Sequence, residues 1–133
     1  MPDPATRQGG RGLKLQQKAE ELYLELAGPI QRIPRSHRYR AAADLEAQLR
    51  ELIDRIIEAA SSGQPSKVYR LYEQVRKVEW RLAMLARQGL IRPQVAGRLS
   101  RPPAEDDDRD RGGTFYELKA MVGAWRERVK QRG

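Results

Sequence analysis

Cationic side chains crowd into the stretch IPRSHRYR at residues 33–40, where an anionic partner is the chemistry they suit best. Pro34 disfavours helical geometry at the residue before it, and Ser36 can cap a following helix, so we predict a hinge between two helices. A helix start carries a partial positive charge, so cations there gain nothing from the helix dipole. A solvated basic turn is the alternative to a binding site. The predicted contacts to the anion are Arg35, His37, Arg38 and Arg40.

A second group of cations lies on the helix predicted for residues 65–88. Six Lys and Arg residues accompany two Glu residues along it, and six minus two gives a balance of +4. Several of these cations share one outer flank at helical periodicity, and contacts from Lys and Arg to phosphate are largely independent of nucleic-acid sequence. We therefore predict that this flank binds RNA or DNA together with the hinge. The predicted contacts are Lys67, Arg70, Lys77, Arg81 and Arg87.

Trp80 and Met84 lie one turn apart on the same predicted helix and point away from the centre of the core. Exposed apolar side chains of this size are typical of protein–protein interfaces. We predict that the two residues form a protein–protein interface. The alternative is that this helix is buried on two sides within one subunit.

Residues suited to catalysis or metal binding are scarce. The chain has no cysteine and a single histidine, His37, in a basic stretch without a nearby carboxylate in sequence. The run Asp106–Asp108 is flanked by a Pro-rich stretch and lacks the rigidity that a magnesium site needs. The pair Gly112-Gly113 has neither the preceding strand nor the lysine of a phosphate-binding loop. We expect no catalytic residue, no metal and no cofactor, with a small enzyme built on a bundle as a rival.

Apolar residues recur at helical spacing in four segments of the chain. The segments are residues 13–33, 37–60, 65–88 and a fourth that begins at 93 and resumes at 114. A kink is expected at Pro29. Residues 1–12 are predicted to be a flexible tail, and the acidic segment 101–113 a disordered insertion. Four amphipathic helices joined by short loops predict an all-α, antiparallel up-down-up-down four-helix bundle over residues 13–133.

The composition is that of a basic helical protein. A chain of 133 residues suits one domain with its own core, and the net charge of +8 favours an acidic partner such as nucleic acid. No apolar run approaches the ~18 residues of a membrane span, and the first residues lack a basic-then-apolar signal. We therefore expect a cytoplasmic location and no membrane partner.

Four stretches of sequence carry a resemblance to a known family. They are LAGPIQRIPRSH at 26–37, KVYRLY at 67–72, LAMLA at 82–86 and MVGAW at 121–125. Together they resemble the accessory variability determinant (Avd) protein of diversity-generating retroelements, over about residues 15–100 and 115–130 of this chain. The chain departs from the family at Glu79 and Ala83, where the family's third helix commonly has arginine, and in its acidic insertion.

The resemblance implies a small basic four-helix bundle that assembles into a homopentameric barrel. It further implies a nonenzymatic protein that binds a reverse transcriptase and template RNA or DNA. In such an element the complex supports error-prone complementary-DNA synthesis during mutagenic retrohoming. Related bundles are encoded in intervening sequences of ribosomal RNA genes, so an interaction protein of that type, with an unknown partner, is the alternative.

Overall fold

The structure is a computed structural model that describes residues 4–132, with the side chains of residues 12–37 and 40–132. Six α-helices and one π-helical turn make up the regular structure of this part of the chain, which contains no strand. The prediction of an all-α fold is confirmed. The elements are α1 Pro4–Gln31, α2 Arg35–His37, the π turn Arg38–Ala42, α3 Ala43–Ser62, α4 Pro65–Arg87, α5 Pro93–Ser100 and α6 Thr114–Arg132.

The core forms where the apolar faces of the long helices meet. Helix α1 packs on α3 and α6, helix α4 packs on the same two helices, and the short α5 packs on α4 and α6. Every long helix contributes fully buried side chains, and burying one Leu or Val contributes roughly 1.5–3 kcal/mol. The largest fully buried side chains include Leu15, Leu22, Leu26, Ile33, Leu45, Leu49, Leu52, Ile56, Leu71, Ile91, Leu99 and Phe115.

Helix α1 begins at Pro4 rather than at Leu13, so residues that the sequence analysis assigns to the tail have a helical backbone. A proline is tolerated in the first turn of a helix, and extending an existing helix costs far less than starting one. Residues 1–3 of the predicted tail lie outside the described residues, and its flexibility stays a prediction. The helix passes through Pro29 and ends at Gln31, and Ile30 and Ile33 stay buried on the same apolar stripe.

The hinge is more helical than predicted. Helix α2 begins at Arg35, so Ser36 lies inside it and does not cap it, and the His37 N–H donates to the Pro34 carbonyl at 2.9 Å. The π turn that follows precedes α3 without a break. Turns of this kind are rare and frequently occur at functional sites. The turn carries Arg38 and Arg40 of the predicted site.

Helices α3 and α4 end close to their predicted boundaries. Gly63 follows α3 in the left-handed region (φ 65°), where its N–H donates to the Ala59 carbonyl at 3.0 Å. Helix α4 begins with Pro65 and ends at Arg87, against a predicted end at residue 88. The helical spacing of apolar residues in the segment 37–60 predicts Ile57 on the core face of α3, but this prediction is wrong, since its side chain is exposed. Ile56 beside it is fully buried, because a helix face is too narrow to hide both.

The acidic segment 101–113 is a loop whose two ends meet. The Gly113 N–H donates to the Arg101 carbonyl at 2.8 Å, and the Arg101 guanidinium donates to both carboxylate oxygens of Asp110 at 2.6 and 2.8 Å. Hydrogen bonds from Arg101 and from the backbone N–H groups of Ala104 and Gly112 hold the pKa of Asp110 below its ordinary value. The predicted disorder of the segment stays a prediction, while its closed neck explains how α6 can begin beside the end of α5.

Candidate nucleic-acid interface

A groove of about 570 Å³ lies between the hinge and the C-terminal half of α4. It brings His37 and Arg40 of the hinge together with Arg81 of α4, three of the residues that the sequence predicts to bind nucleic acid. We call it the hinge groove. His37 and Arg40 are exposed and Arg81 is half-buried, so all three can reach a ligand in the groove. The groove is lined by Ser36, His37, Arg40, Ala41, Asp44, Arg81, Leu85, Gln88 and Leu90.

Arg81 is held in place by its neighbours. Its Nε–H donates to the Gln48 side-chain oxygen in α3 at 3.3 Å, and its guanidinium carbon lies 5.2 Å from the centre of the Trp80 ring. Gln74 is buried and its Nε2 donates to the Gln48 backbone carbonyl at 3.0 Å, although helical periodicity predicts a place for Gln74 beside the outer cationic flank of α4. A guanidinium held by a hydrogen bond and an aromatic face loses less freedom when it binds phosphate.

The remaining predicted contacts on α4 do not join the groove. At 1.5 Å of rise per residue, Arg70 lies about 16 Å and Lys67 about 21 Å from Arg81 along the helix axis. Lys77 is exposed about 6 Å from Arg81 along the axis, and Arg87 is exposed at the end of the helix. The structure therefore separates Lys67 and Arg70, near the start of α4, from the predicted contacts that line the hinge groove. Arg35 is exposed in α2, and the side chain of Arg38 lies outside the described residues.

Trp80 is 57% exposed on α4, and Met84 one turn further on is half-buried. The Trp80 ring shares its helix face with the exposed Lys77, so the predicted protein–protein interface and the predicted nucleic-acid contacts are not on separate surfaces. Trp125, the other tryptophan, is buried in the core.

Asp44 supplies a carboxylate to the hinge groove, which the sequence analysis did not anticipate for His37. The two residues are seven positions apart across the π turn and the start of α3, so sequence proximity gave no signal. A single negative charge beside Arg40 and Arg81 leaves the groove with net positive charge.

Glu79 has an internal role on the opposite flank of α4. The Lys119 ammonium of α6 lies 2.5 Å from one Glu79 oxygen, and Arg76 Nε lies 3.5 Å from the other. The Arg126 guanidinium, also from α6, lies 4.6 Å from the centre of the Tyr72 ring. These contacts join α4 to α6. They give a structural reason for a carboxylate at position 79, where the family that the sequence resembles commonly has arginine.

A second basic groove was missed by the sequence analysis. Arg32, beyond the end of α1, lines it together with Arg92 and Arg98 at the two ends of α5. Its volume is about 690 Å³, and we call it the α5 groove. Arg32 is separated from the other two by some sixty positions, so only the packing of the helices brings the three together. The signal available in the sequence was the presence of arginines at the ends of two predicted helices.

Comparison of the chain with protein families, with curated proteins and with solved structures found no match. No cluster of three or more His, Cys, Asp or Glu residues suited to a metal lies in the part of the chain that the structure describes. Within the same residues no helix is both long and apolar enough to span a membrane.

Proposed function

We propose that the protein is a nonenzymatic accessory protein of a diversity-generating retroelement. It binds the reverse transcriptase and the template RNA or DNA, and it supports mutagenic complementary-DNA synthesis and retrohoming. The observation that carries the proposal is the hinge groove, in which His37, Arg40 and Arg81 from distant parts of the chain converge. His37 belongs to the hinge stretch 26–37, which is one of the more specific parts of the family resemblance.

The charge pattern of the described residues supports nucleic acid as the anion. Several cations away from the groove are held by carboxylates, as Arg55 is by Glu51 at 3.0 Å and Lys119 by Glu79. The described ion pairs include neither Arg40 nor Arg81, and the contacts of Arg81 with Gln48 and Trp80 are with neutral groups. Cations left without carboxylate partners remain free to neutralise phosphates, and the release of counterions drives such binding.

The proposal includes the architecture of an antiparallel up-down-up-down four-helix bundle. Helices α1, α3, α4 and α6 would be its four members, with α5 and α6 sharing the fourth position on either side of the 101–113 loop. The packing of each long helix on two others supports this arrangement. The proposal also includes a homopentameric barrel, in which Trp80 and Met84 contact the next subunit.

Trp80→Glu is expected to shift the protein from oligomer to monomer while the helices stay folded. A closed ring repeats one head-to-tail contact, so a charge placed in it is repeated at every interface. Light scattering measures the mass, and circular dichroism checks the fold. Leu24→Glu is the matched control, because Leu24 is 72% exposed on α1, outside the proposed contact. Wild type that is already monomeric at micromolar concentration would end the ring proposal.

The protein is expected to form a stable complex with the reverse transcriptase encoded beside it and to increase complementary-DNA synthesis from the element's template RNA. Size-exclusion chromatography of the mixed proteins and a primer-extension assay with and without this protein measure the two effects. The neighbouring genes provide the prior check, since a reverse-transcriptase gene and a variable repeat should lie next to this gene. No complex and unchanged synthesis would favour the intervening-sequence type of interaction protein.

A further inference from the structure

The α5 groove has the charge and shape of an anion site. Three arginines and one carboxylate, Glu25, line it, so three minus one leaves a charge of +2. The Glu25 carboxylate also accepts a hydrogen bond from the Thr114 hydroxyl at 2.7 Å. We propose that this groove binds the phosphate backbone of a nucleic-acid strand, as a second site beyond the hinge groove.

The arginines of the α5 groove differ from the paired cations on the surface of the described residues. Lys18 lies 3.0 Å from Glu21 and 3.0 Å from Glu117, Arg50 lies 3.8 Å from Glu46, and Arg55 is held by α3 carboxylates. None of the ion pairs described for the chain includes Arg32, Arg92 or Arg98. These three arginines therefore lie together in one groove without the carboxylate partners that the paired cations have.

Bringing three like charges into one groove raises the free energy of the unbound protein. The cost is increased at Arg92, which immediately precedes α5, because the start of a helix carries a partial positive charge. A phosphate in the groove reverses both effects. Guanidinium groups can donate two parallel hydrogen bonds to the oxygens of a phosphate, which lysine cannot do. Three arginines from two segments therefore suit a phosphate ligand.

The two grooves lie close to each other along the chain. Leu90 lines the hinge groove and Arg92 the α5 groove, and two residues of extended chain span at most about 7 Å. Arg32 is likewise three positions before Arg35 of the hinge. A strand bound in the hinge groove can therefore continue into the α5 groove. The inference rests on the proposed function in this respect, because it extends the same nucleic-acid surface.

The test replaces Arg32, Arg92 and Arg98 together by Gln and compares this variant with Lys18→Gln/Arg50→Gln/Arg55→Gln. Both variants lose three positive charges, but the second loses only cations that carboxylates already hold. The probe is a single-stranded RNA long enough to span both grooves, titrated at several salt concentrations. Three lost contacts should reduce the slope of log affinity against log salt by about 2, at about 0.7 per contact on single strands. The control should keep the wild-type slope.

Equal losses in the two variants would overturn the inference, since net charge alone would then explain them. An Arg32→Lys/Arg92→Lys/Arg98→Lys variant guards against a folding defect, and it should melt like wild type and keep most of the slope. Inorganic phosphate is the second probe. Thermal stabilisation by phosphate alone that matches stabilisation by the RNA would assign the groove to a free anion and overturn the inference.

The inference and the proposed function can fail separately. The slope could stay unchanged in the Arg32/Arg92/Arg98 variant while binding is lost when Arg40 and Arg81 are replaced. That result would exclude the α5 groove from the nucleic-acid surface and leave the hinge groove in it. Wild type that binds no RNA or DNA at low salt would remove the nucleic-acid part of the proposed function as well.

Discussion

Gly113→Ala is expected to lower the free energy of unfolding by about 1–3 kcal/mol, the usual cost of inserting a methyl group into a closely packed site. A Cβ at Gly113 would overlap the backbone carbonyl groups of Arg98 and Leu99, where α6 begins beside the end of α5. Backbone atoms cannot rotate away as the end of a long side chain can. The loop neck must then open, and the hydrogen bond from the Gly113 N–H to the Arg101 carbonyl is lost.

Gly97→Ala is the matched control for this effect. Gly97 lies inside α5, and a Cβ placed there would have no neighbour within 4 Å. Alanine is favoured over glycine in a helix by about 0.8–1 kcal/mol, so this variant is expected to be as stable as wild type or more stable. Urea unfolding followed by circular dichroism measures both. Equal stability of Gly113→Ala and wild type would contradict the close packing of α5 against α6.

The sequence predicts the helices well because each buries one apolar stripe of 3.6-residue period. The stripe of α4 through Leu71, Val75, Val78 and Leu82 is buried as predicted. The same argument fails at Gln74, which is buried because it donates to a carbonyl of α3. The periodicity of apolar residues predicts which apolar side chains are buried. It cannot predict the burial of a polar side chain that forms a hydrogen bond with another helix.

The ends of the elements depend on contacts that no local pattern contains. Ser36 is a good helix cap by residue type, yet helix α2 begins at Arg35, one residue before Ser36, and continues into the π turn. The closed neck of the 101–113 loop depends on Asp110, one acidic residue among several, meeting Arg101. Composition predicts a charged loop there, and only the fold selects which charges pair.

The sequence predicts which types of residue form the candidate site, but it does not predict which of these residues lie together. His37 and Arg40 of the hinge come together with Arg81. Lys67 and Arg70 lie more than two turns of α4 away from Arg81. The α5 groove needs the ends of α1 and α5 to meet, and that is a property of the packing alone. Charge counts along a single helix cannot reveal a cluster of arginines that two separate segments build.

Replacing Arg40 and Arg81 together by Gln is expected to weaken the binding of duplex DNA by about sixtyfold at 0.1 M salt. Each phosphate contact contributes about 0.9 to the slope of log affinity against log salt, so two lost contacts lower log affinity by about 1.8 there. The loss should be similar for unrelated sequences, because contacts to phosphate position a nucleic acid without reading its bases. Gln keeps part of the side chain, so the packing of Arg81 beside Trp80 is partly preserved.

Arg50→Gln/Arg55→Gln is the control for this double variant. It removes two positive charges as well, but from arginines that carboxylates hold on α3. The control should bind like wild type, apart from a small effect of net charge that salt screens. Thermal melting should show that all three proteins are folded.

The most direct test of the nucleic-acid surface is a salt titration of wild type, the Arg40/Arg81 variant and the Arg50/Arg55 variant against the same RNA and the same DNA. We expect wild type to bind at low salt, with a slope that falls in the Arg40/Arg81 variant by about 1.8 on duplex DNA and by about 1.4 on single-stranded RNA, and that stays unchanged in the control. Wild type that binds neither nucleic acid at low salt, or equal slopes in all three proteins, would contradict the proposed nucleic-acid surface.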